Sequence, residues 1–280
     1  MKYIDLHVHS TVSDGTFTPT ELVHLAKKNN VAAFALTDHD TASGVFEAQQ
    51  AAKGTGVEVI SGVEVSAGYK DSDIHILGLM IDPEYEPFKA RLEKARQERD
   101  DRNAKMAENL ANAGLDIDID RLTAAFPAGT VLTRAHFGRF LMDTHQVSSI
   151  NDAFDKYLNS KSPYYVSRKY ISPEDTITLI KNAGGIPVLA HPLIYRLPEQ
   201  ELDALISRLK DAGLEGLEVF YSNNTGFDEG IARRYANKYN LVMTGGSDFH
   251  GTNKPQIALG KGRGNLQVPY SVLDNLRKLV

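Results

Sequence analysis

The sequence contains no cysteine among its 280 residues. Disulfide bonds, thiolate metal sites and cysteine nucleophiles are therefore excluded, and with them any disulfide-linked partner. A bound metal would have to be held by imidazole and carboxylate groups, which suit Mn, Fe, Zn or Mg.

Long hydrophobic runs are also missing from the chain. No stretch approaches the roughly 18 consecutive apolar residues that a membrane span requires. The opening residues, MKYIDLHVHS, lack the charged region followed by an apolar run that marks a secretory leader. We therefore expect a cytoplasmic protein without a membrane partner.

The composition is that of a globular protein, with 42% hydrophobic and 24% charged residues. The formal net charge of −5 argues only weakly against nucleic-acid binding. Two or three bound divalent cations would reverse the sign of the local field, so the net charge decides little about partners.

Short apolar runs alternate with helical patterns over most of the chain, a rhythm typical of β/α units around a mostly parallel sheet. Candidate strands occupy residues 3–9, 32–37, 58–65, 74–80, 186–190, 216–220 and 241–244. Candidate helices between them occupy residues 20–29, 173–182, 202–212 and 228–239. These patterns predict an α/β fold.

The rhythm is interrupted between residues 88 and 165. Residues 88–113 predict one long amphipathic helix with a solvated charged face, and shorter helices are predicted at 119–125, 134–144 and 150–159. No strand pattern occurs there. We expect an all-helical insertion, residues 88–165, in a β/α body formed by residues 1–87 and 166–280.

The first candidate strand carries two histidines two positions apart. Side chains alternate along a strand, so Asp5, His7 and His9 share one face. Two imidazoles at the end of a strand can chelate one metal ion. With nine histidines in the chain, such a pair also arises by chance, so the motif alone is a weak signal.

Residues of the same type recur where other apolar runs begin or end. In parallel β/α folds the carboxyl ends of the strands converge on one face, where active sites form. Histidines that only filled the core or the surface would be scattered over helices as well. The recurring residues are His39, Glu64, His75, His191, Asp248 and His250.

As a set, these residues resemble the polymerase-and-histidinol-phosphatase (PHP) superfamily. Its pattern is His-x-His, a downstream Asp, Thr-Asp-His, a Glu, a His, Ala-His-Pro and Ser-Asp-x-His. The corresponding positions here are His7, His9, Asp14, His39, Glu64, His75, His191, Asp248 and His250. The resemblance implies a distorted (β/α)7 barrel and a centre of two or three divalent ions, with manganese the first expectation.

The resemblance also implies how the ions are held. His7, His9, Glu64 and Asp248 would bind one ion, and Glu64 would bridge to a second ion on His75 and His191. Asp14, His39 and His250 would bind a third. A metal-activated hydroxide would hydrolyse a phosphate ester. The catalytic residues would be Asp248, His191 and His250.

Other acids flank these positions. Asp38 precedes His39, and we interpret it as a residue that orients an imidazole by hydrogen bonding, although an ordinary loop acid is the alternative.

The expected insertion carries the candidate substrate contacts. Thr133 is a plausible N-cap, which places Arg134 and His136 in a first helical turn where an anion is favoured. A surface arginine with a half-buried histidine is the alternative. Lys161 and Arg168 lie in a stretch mixing cations and aromatic rings, which suits phosphate contact with base stacking or an ordinary domain junction.

The Thr-Arg-x-His stretch resembles the PHP subgroup of 3′,5′-nucleoside bisphosphate phosphatases and RNase AM-type 5′→3′ exoribonucleases. The first hypothesis is therefore a phosphatase acting on a nucleoside 3′,5′-bisphosphate, with AMP and phosphate as possible products. Hydrolysis of short 5′-phosphorylated RNA is the close alternative. Histidinol phosphatase and a non-catalytic metal-stabilised binding module are the further alternatives.

Overall fold

The computed structural model of the chain describes residues 2–70 and 72–280. Its strands are β1 Tyr3–Val8, β2 Val31–Leu36, β3 Glu58–Tyr69, β4 Ser72–Leu79, β5 Ile186–Leu189, β6 Gly216–Tyr221, β7 Val242–Gly246 and β8 Val268–Pro269. Its helices are α1 Pro19–Lys28, α2 Val45–Ala52, α3 Glu86–Asn112, α4 Ile119–Ala124, α5 Arg134–Asp143, α6 Ile150–Ala153, α7 Pro173–Asn182, α8 Glu199–Asp211, α9 Asp228–Lys238 and α10 Ser271–Leu276. The seven candidate strands of the sequence correspond to β1–β7.

The strands form one sheet in the order β7-β6-β5-β4-β3-β2-β1-β8. Six strands keep the predicted parallel pairing in two groups, β1–β2–β3 and β5–β6–β7. Strand β4, in contrast, runs antiparallel to both β3 and β5. Only residues 70 and 71 separate β3 from β4, and a connection this short permits an antiparallel pair but no parallel crossover. The expected distorted α/β barrel is confirmed, with this reversal as its local departure.

The barrel nearly closes where β1 meets the chain that follows β7. The Asp248 amide donates to the His7 carbonyl at 2.9 Å, and the His9 amide donates to the Phe249 carbonyl at 3.0 Å. A Cβ added to Gly246 would lie 2.4 Å from the His7 backbone nitrogen, so only glycine permits this approach. The closure brings two of the histidine-bearing segments side by side.

The expected helical stretch is helical from α3 to α6, and a π-helical turn at Phe154–Leu158 continues α6. These helices bury a hydrophobic core of their own, which includes Met106, Leu110, Phe137 and Leu141. Its treatment as a separate domain with boundaries at residues 88 and 165 stays a prediction. Among the described residues, no helix combines the length and apolar character needed to cross a membrane.

The expectation that the charged side chains of α3 all face solvent is partly wrong. Arg99, Arg102 and Asn103 are buried together with the apolar residues of that helix. They occupy the interval between Ala95 and Met106, where the apolar stripe of the sequence is interrupted. Polar residues at the buried positions of a helix indicate a polar cavity on its inner side.

Candidate active site

The nine residues expected to bind metal converge at one end of the barrel. Their side chains form four groups in which the ligand atoms lie within 4.8 Å of one another. The groups are His9–Asp14–His39–His250, His7–His9–Asp248, His7–Glu64–His191 and His39–Glu64–His75. Each of the nine belongs to at least one group. The convergence follows from the fold, because the ends of neighbouring strands and the turns after them meet at one rim.

The chemistry of this cluster fits divalent cations. Among the described residues, five buried imidazole nitrogens and one carboxylate oxygen have no hydrogen-bond partner. They are His7 Nε2, His9 Nδ1, His9 Nε2, His39 Nδ1, His191 Nδ1 and Asp14 Oδ1. Buried polar atoms are normally paired, since an unpaired one costs about 1–3 kcal/mol. Lone pairs that converge in this way are the arrangement that metal coordination would satisfy.

Glu64 lies at the centre of the cluster. Its Oε1 is 2.8 Å from His75 Nδ1 and 3.0 Å from His191 Nε2, and its Oε2 is 3.3 Å from His9 Nε2. Burial opposes its ionisation, but the surrounding imidazoles hold the pKa of Glu64 well below its usual range. The carboxylate therefore stays charged and can serve two ions at once.

The protonation state of His39 also suits metal coordination. Burial lowers its pKa to about 3, although Glu64 and Asp14 pull in the opposite direction. A neutral imidazole is the form that binds a metal ion. The division of the nine residues among two or three ions stays a prediction.

One positioning residue, Glu218, was missed by the sequence analysis. Its Oε1 lies 3.0 Å from His7 Nδ1, and its Oε2 accepts the His191 backbone amide at 2.7 Å. It leaves His7 Nε2 facing the cluster and fixes the turn that carries His191, whose φ is +29°. The signal in the sequence was a single acid within the apolar run Gly-Leu-Glu-Val-Phe-Tyr of β6.

We expect Glu218→Gln to lower metal affinity by about 10- to 100-fold, the usual effect of losing a carboxylate that orients a metal-bound histidine. The measurement is Mn²⁺ titration of metal-stripped protein. Glu215→Gln is the matched control, because Glu215 forms an ion pair with the partly exposed Lys181 outside the cluster. Equal Mn²⁺ affinities for Glu218→Gln and wild type would contradict the positioning role.

Asp38 has a different environment from the one expected. Its Oδ1 accepts the Ser10 amide at 2.8 Å and the Ser13 hydroxyl at 2.6 Å, and its Oδ2 accepts the Ser10 hydroxyl at 2.7 Å. In the part of the chain that the structure describes, Asp38 makes no hydrogen bond to an imidazole. The interpretation that it orients one directly is wrong, because the loop after His9 occupies both of its oxygens.

A cavity of about 390 Å³ opens beside the histidine cluster. His39, His75, His250 and Asp14 line it from the barrel side. Helix α3 and the segments around α5 and α6 line it with arginines and apolar side chains, among them Arg99, Arg102, Arg134, Ile150 and Phe154. The cavity therefore has an imidazole–carboxylate wall and a cationic wall.

Arg134 lies at this cavity, as the sequence suggested. Its Nη1 donates to the Leu158 carbonyl at 3.3 Å, and its guanidinium lies 5.4 Å from the centre of the Tyr165 ring. Thr133 is the N-cap of α5, and its hydroxyl donates to Asp14 Oδ2 at 2.9 Å. The start of α5 is thus joined directly to the proposed metal ligands.

His136 does not reach the cavity. Its Nδ1 accepts the Thr133 amide at 2.9 Å, which completes a capping box. The ring packs edge-on against Phe126, and burial lowers its pKa to about 4. A buried, neutral ring that caps its own helix is not an anion contact, so the expected phosphate role of His136 is wrong.

Lys161 and Arg168 are likewise not part of the cavity wall. Lys161 is exposed on the turn after the π-helical segment. The side chain of Arg168 is buried, and its Nη2 lies 2.9 Å from Asp40 Oδ2, which Arg99 also contacts. Because Arg168 is paired with Asp40, this arginine fastens the chain leaving the helical segment to the barrel and does not line the cavity.

Arg102 is the cation that the sequence analysis did not single out. It is 7% exposed and lines the cavity, and its Nε has no hydrogen-bond partner. Its Nη1 makes a weak contact to the Met106 sulfur at 3.9 Å. Burial and the nearby Arg99, Arg134 and Arg168 lower its pKa to about 9. A buried guanidinium without a carboxylate is costly unless an anion binds it.

Comparison with known protein families and curated relatives agrees with this geometry. A PHP domain model matches residues 5–233. A 5′-3′ exoribonuclease of Haemophilus influenzae is 37% identical over 89% of this chain and 90% of its own length. A 3′,5′-nucleoside bisphosphate phosphatase of Chromobacterium violaceum is also 37% identical, over 89% of this chain and 88% of its own.

Solved structures show the same relationship. A Bifidobacterium adolescentis structure described as a metal-dependent phosphoesterase superposes with a TM-score of 0.87 at 32% identity, covering 98% of this chain and 95% of its own. A C. violaceum structure described as an amidohydrolase with bound sulfate has a TM-score of 0.90 at 34% identity, covering 99% and 96%. The chain belongs to the PHP domain family and is a metal-dependent phosphoesterase.

Proposed function

We propose that the chain is a phosphatase that removes one phosphate from a small nucleotide carrying two, with nucleoside 3′,5′-bisphosphates as the substrate class. Arg102 is the observation that carries the proposal. A buried guanidinium that lines the same cavity as the histidine cluster, and whose Nε has no hydrogen-bond partner among the described residues, provides a second place for an anion. A substrate with one phosphate would leave that cation without a partner.

The two walls of the cavity have complementary tasks in this proposal. The ion-binding wall takes the phosphate that is hydrolysed, and Arg102 and Arg134 take the other. Ile150 and Phe154 offer apolar contact to the nucleoside between them. A volume of about 390 Å³ lies at the lower end of small-molecule sites and suits one nucleotide. Residues 88–165 then act as the recognition unit.

We assign the nine clustered residues as ligands of two or three divalent ions and propose manganese as the native metal. When bound, such ions polarise a phosphoryl oxygen and lower the pKa of a coordinated water toward about 7. Asp248, His191 and His250 would be the catalytic residues among these ligands and would hold the ions in position for hydrolysis. The enzyme would release one nucleoside monophosphate and one inorganic phosphate. For an adenosine bisphosphate, the monophosphate would be AMP.

Hydrolysis of short 5′-phosphorylated RNA is the second candidate. Relatives named 5′-3′ exoribonuclease support it at 37% and 34% identity, each over about nine-tenths of this chain. The same cationic wall would then hold the phosphate of a neighbouring nucleotide. The two candidates differ in how far the substrate extends beyond the cavity.

A turnover screen with Mn²⁺ tests the proposal. We expect kcat/KM for adenosine 3′,5′-bisphosphate to exceed that for adenosine 3′-monophosphate by about 10- to 100-fold, the contribution of one charge-assisted contact to the second phosphate. Short 5′-phosphorylated RNA and histidinol phosphate complete the screen. Equal rates on the mono- and bisphosphate, or a clear preference for RNA or histidinol phosphate, would reject the proposed substrate.

A further inference from the structure

Lys254 lies at the junction of the histidine cluster and the cavity. It lines the cavity beside His250 and Asn253, and it is the one lysine among the described residues of that wall. Its side chain is 34% exposed. None of the roles assigned above uses this ammonium group.

The backbone that carries Lys254 is firmly placed. The Thr252 amide donates to the Thr16 hydroxyl at 2.9 Å, and the Asn253 side chain donates to the Asp14 carbonyl at 2.9 Å. Gly251 has φ +64°, and a Cβ there would lie 2.1 Å from Thr16 Oγ1, so the close approach requires glycine. This turn fixes the direction of the Lys254 side chain toward the cluster.

Lys254 contacts the outer side of Asp248. The inner oxygen, Oδ1, lies 3.3 Å from His250 Nδ1 and 3.5 Å from His9 Nε2. The outer oxygen, Oδ2, lies 2.7 Å from Lys254 Nζ and accepts the Tyr221 hydroxyl at 2.9 Å. The carboxylate thus separates the ammonium from the space assigned to the ions.

The net charge around Asp248 would change when metal ions bind. The nine proposed ligands include three carboxylates, from Asp14, Glu64 and Asp248. Two or three divalent cations would more than neutralise them, so Asp248 would no longer need an ammonium as its counterion. Tyr221 still provides a hydrogen bond to Oδ2. An ammonium held beside a positively charged centre and open to the cavity is then best satisfied by an oxygen of the bound anion.

We propose that Lys254 binds a non-bridging oxygen of the phosphate that is being hydrolysed and of the inorganic phosphate that is released. It is a substrate-binding residue, and no proton transfer is assigned to it. The inference rests on the phosphoesterase site proposed above, but it does not depend on which nucleotide is the substrate.

Binding of inorganic phosphate to the Mn²⁺-loaded protein tests this role directly. We compare wild type, Lys254→Gln and Lys254→Arg by calorimetry, with bound metal measured in each. Lys181→Gln is the matched control, because Lys181 forms an ion pair with Glu215 away from the cavity. We expect Lys254→Gln to weaken phosphate binding by about 10-fold or more at unchanged metal content. Lys254→Arg should stay close to wild type, as should Lys181→Gln.

Three outcomes would overturn the assignment. They are unchanged phosphate affinity in Lys254→Gln, loss of metal in that variant, which would make Lys254 a support of Asp248, and a wild-type protein that does not bind phosphate. The substrate proposal fails separately, because a protein that binds phosphate through Lys254 yet prefers RNA or a monophosphate rejects only the bisphosphate assignment.

Discussion

Glu64→Gln is expected to lower kcat/KM for any phosphate ester by about 1,000-fold or more and to reduce the amount of bound metal. Glu64 belongs to two of the four ligand groups and contacts histidines from several parts of the barrel. Glutamine keeps the shape but removes the negative charge and one strong ligand oxygen. A loss of roughly 4 kcal/mol in transition-state stabilisation corresponds to this change in rate.

The same substitution should leave the fold intact. The amide fits the volume of the carboxylate. Metal content, thermal unfolding and turnover are measured on one preparation. Glu58→Gln is the matched control, because Glu58 is the first residue of the same strand and is paired with Arg277 and Tyr270 outside the cluster. Near-normal turnover in Glu64→Gln, or full activity of wild type after chelation, would contradict the proposed centre.

Arg102→Met is expected to make the protein more stable and less active on a bisphosphate. Without substrate, Arg102 is a buried cation that forms no ion pair with a carboxylate of the described residues, and three other arginines lie nearby. An apolar side chain of similar length removes the desolvation cost, so the free energy of unfolding should rise by about 1–2 kcal/mol. Activity and stability change in opposite directions because the residue is placed for the ligand.

The kinetic effect should depend on the second phosphate. We expect kcat/KM for adenosine 3′,5′-bisphosphate to fall by about 10- to 100-fold, while that for adenosine 3′-monophosphate changes little. Lys105→Met is the matched control, since Lys105 lies on the exposed face of the same helix. A parallel loss on both substrates, or a less stable Arg102→Met protein, would show that Arg102 serves the fold and does not bind the second phosphate.

The sequence predicted the α/β fold well because strand and helix periodicity are local patterns, and the nine candidate ligands lie together in four groups. Alternating apolar runs located β1 to β7, and the residues at their ends share one rim in any barrel of this kind. The antiparallel direction of β4 was harder to predict from the sequence. It follows from the short connection after β3 and from pairing with β5, more than 100 residues away.

The substrate contacts were predicted less well, because a cation in a sequence does not reveal its partner. Arg168 and Arg102 carry the same charge, yet Arg168 is paired with Asp40, 128 residues earlier, while Arg102 Nε has no hydrogen-bond partner among the described residues. His136 looked like an anion contact until its ring was seen to cap its own helix.

The sequence by itself therefore determined the α/β barrel, the exclusion of thiolate chemistry and the nine imidazole and carboxylate side chains. Strand periodicity and residue type are sufficient for an α/β fold and for the exclusion of thiolates, whereas the barrel and the full set of nine residues followed from the resemblance to the PHP superfamily. The tertiary structure decided which cations face the cavity, that Glu218 orients His7 and that Lys254 lies beside Asp248. The contact of Glu218 with His7 joins residues 211 positions apart, and the turn that directs Lys254 toward Asp248 is held against Thr16, so folding alone brings these groups within hydrogen-bond distance.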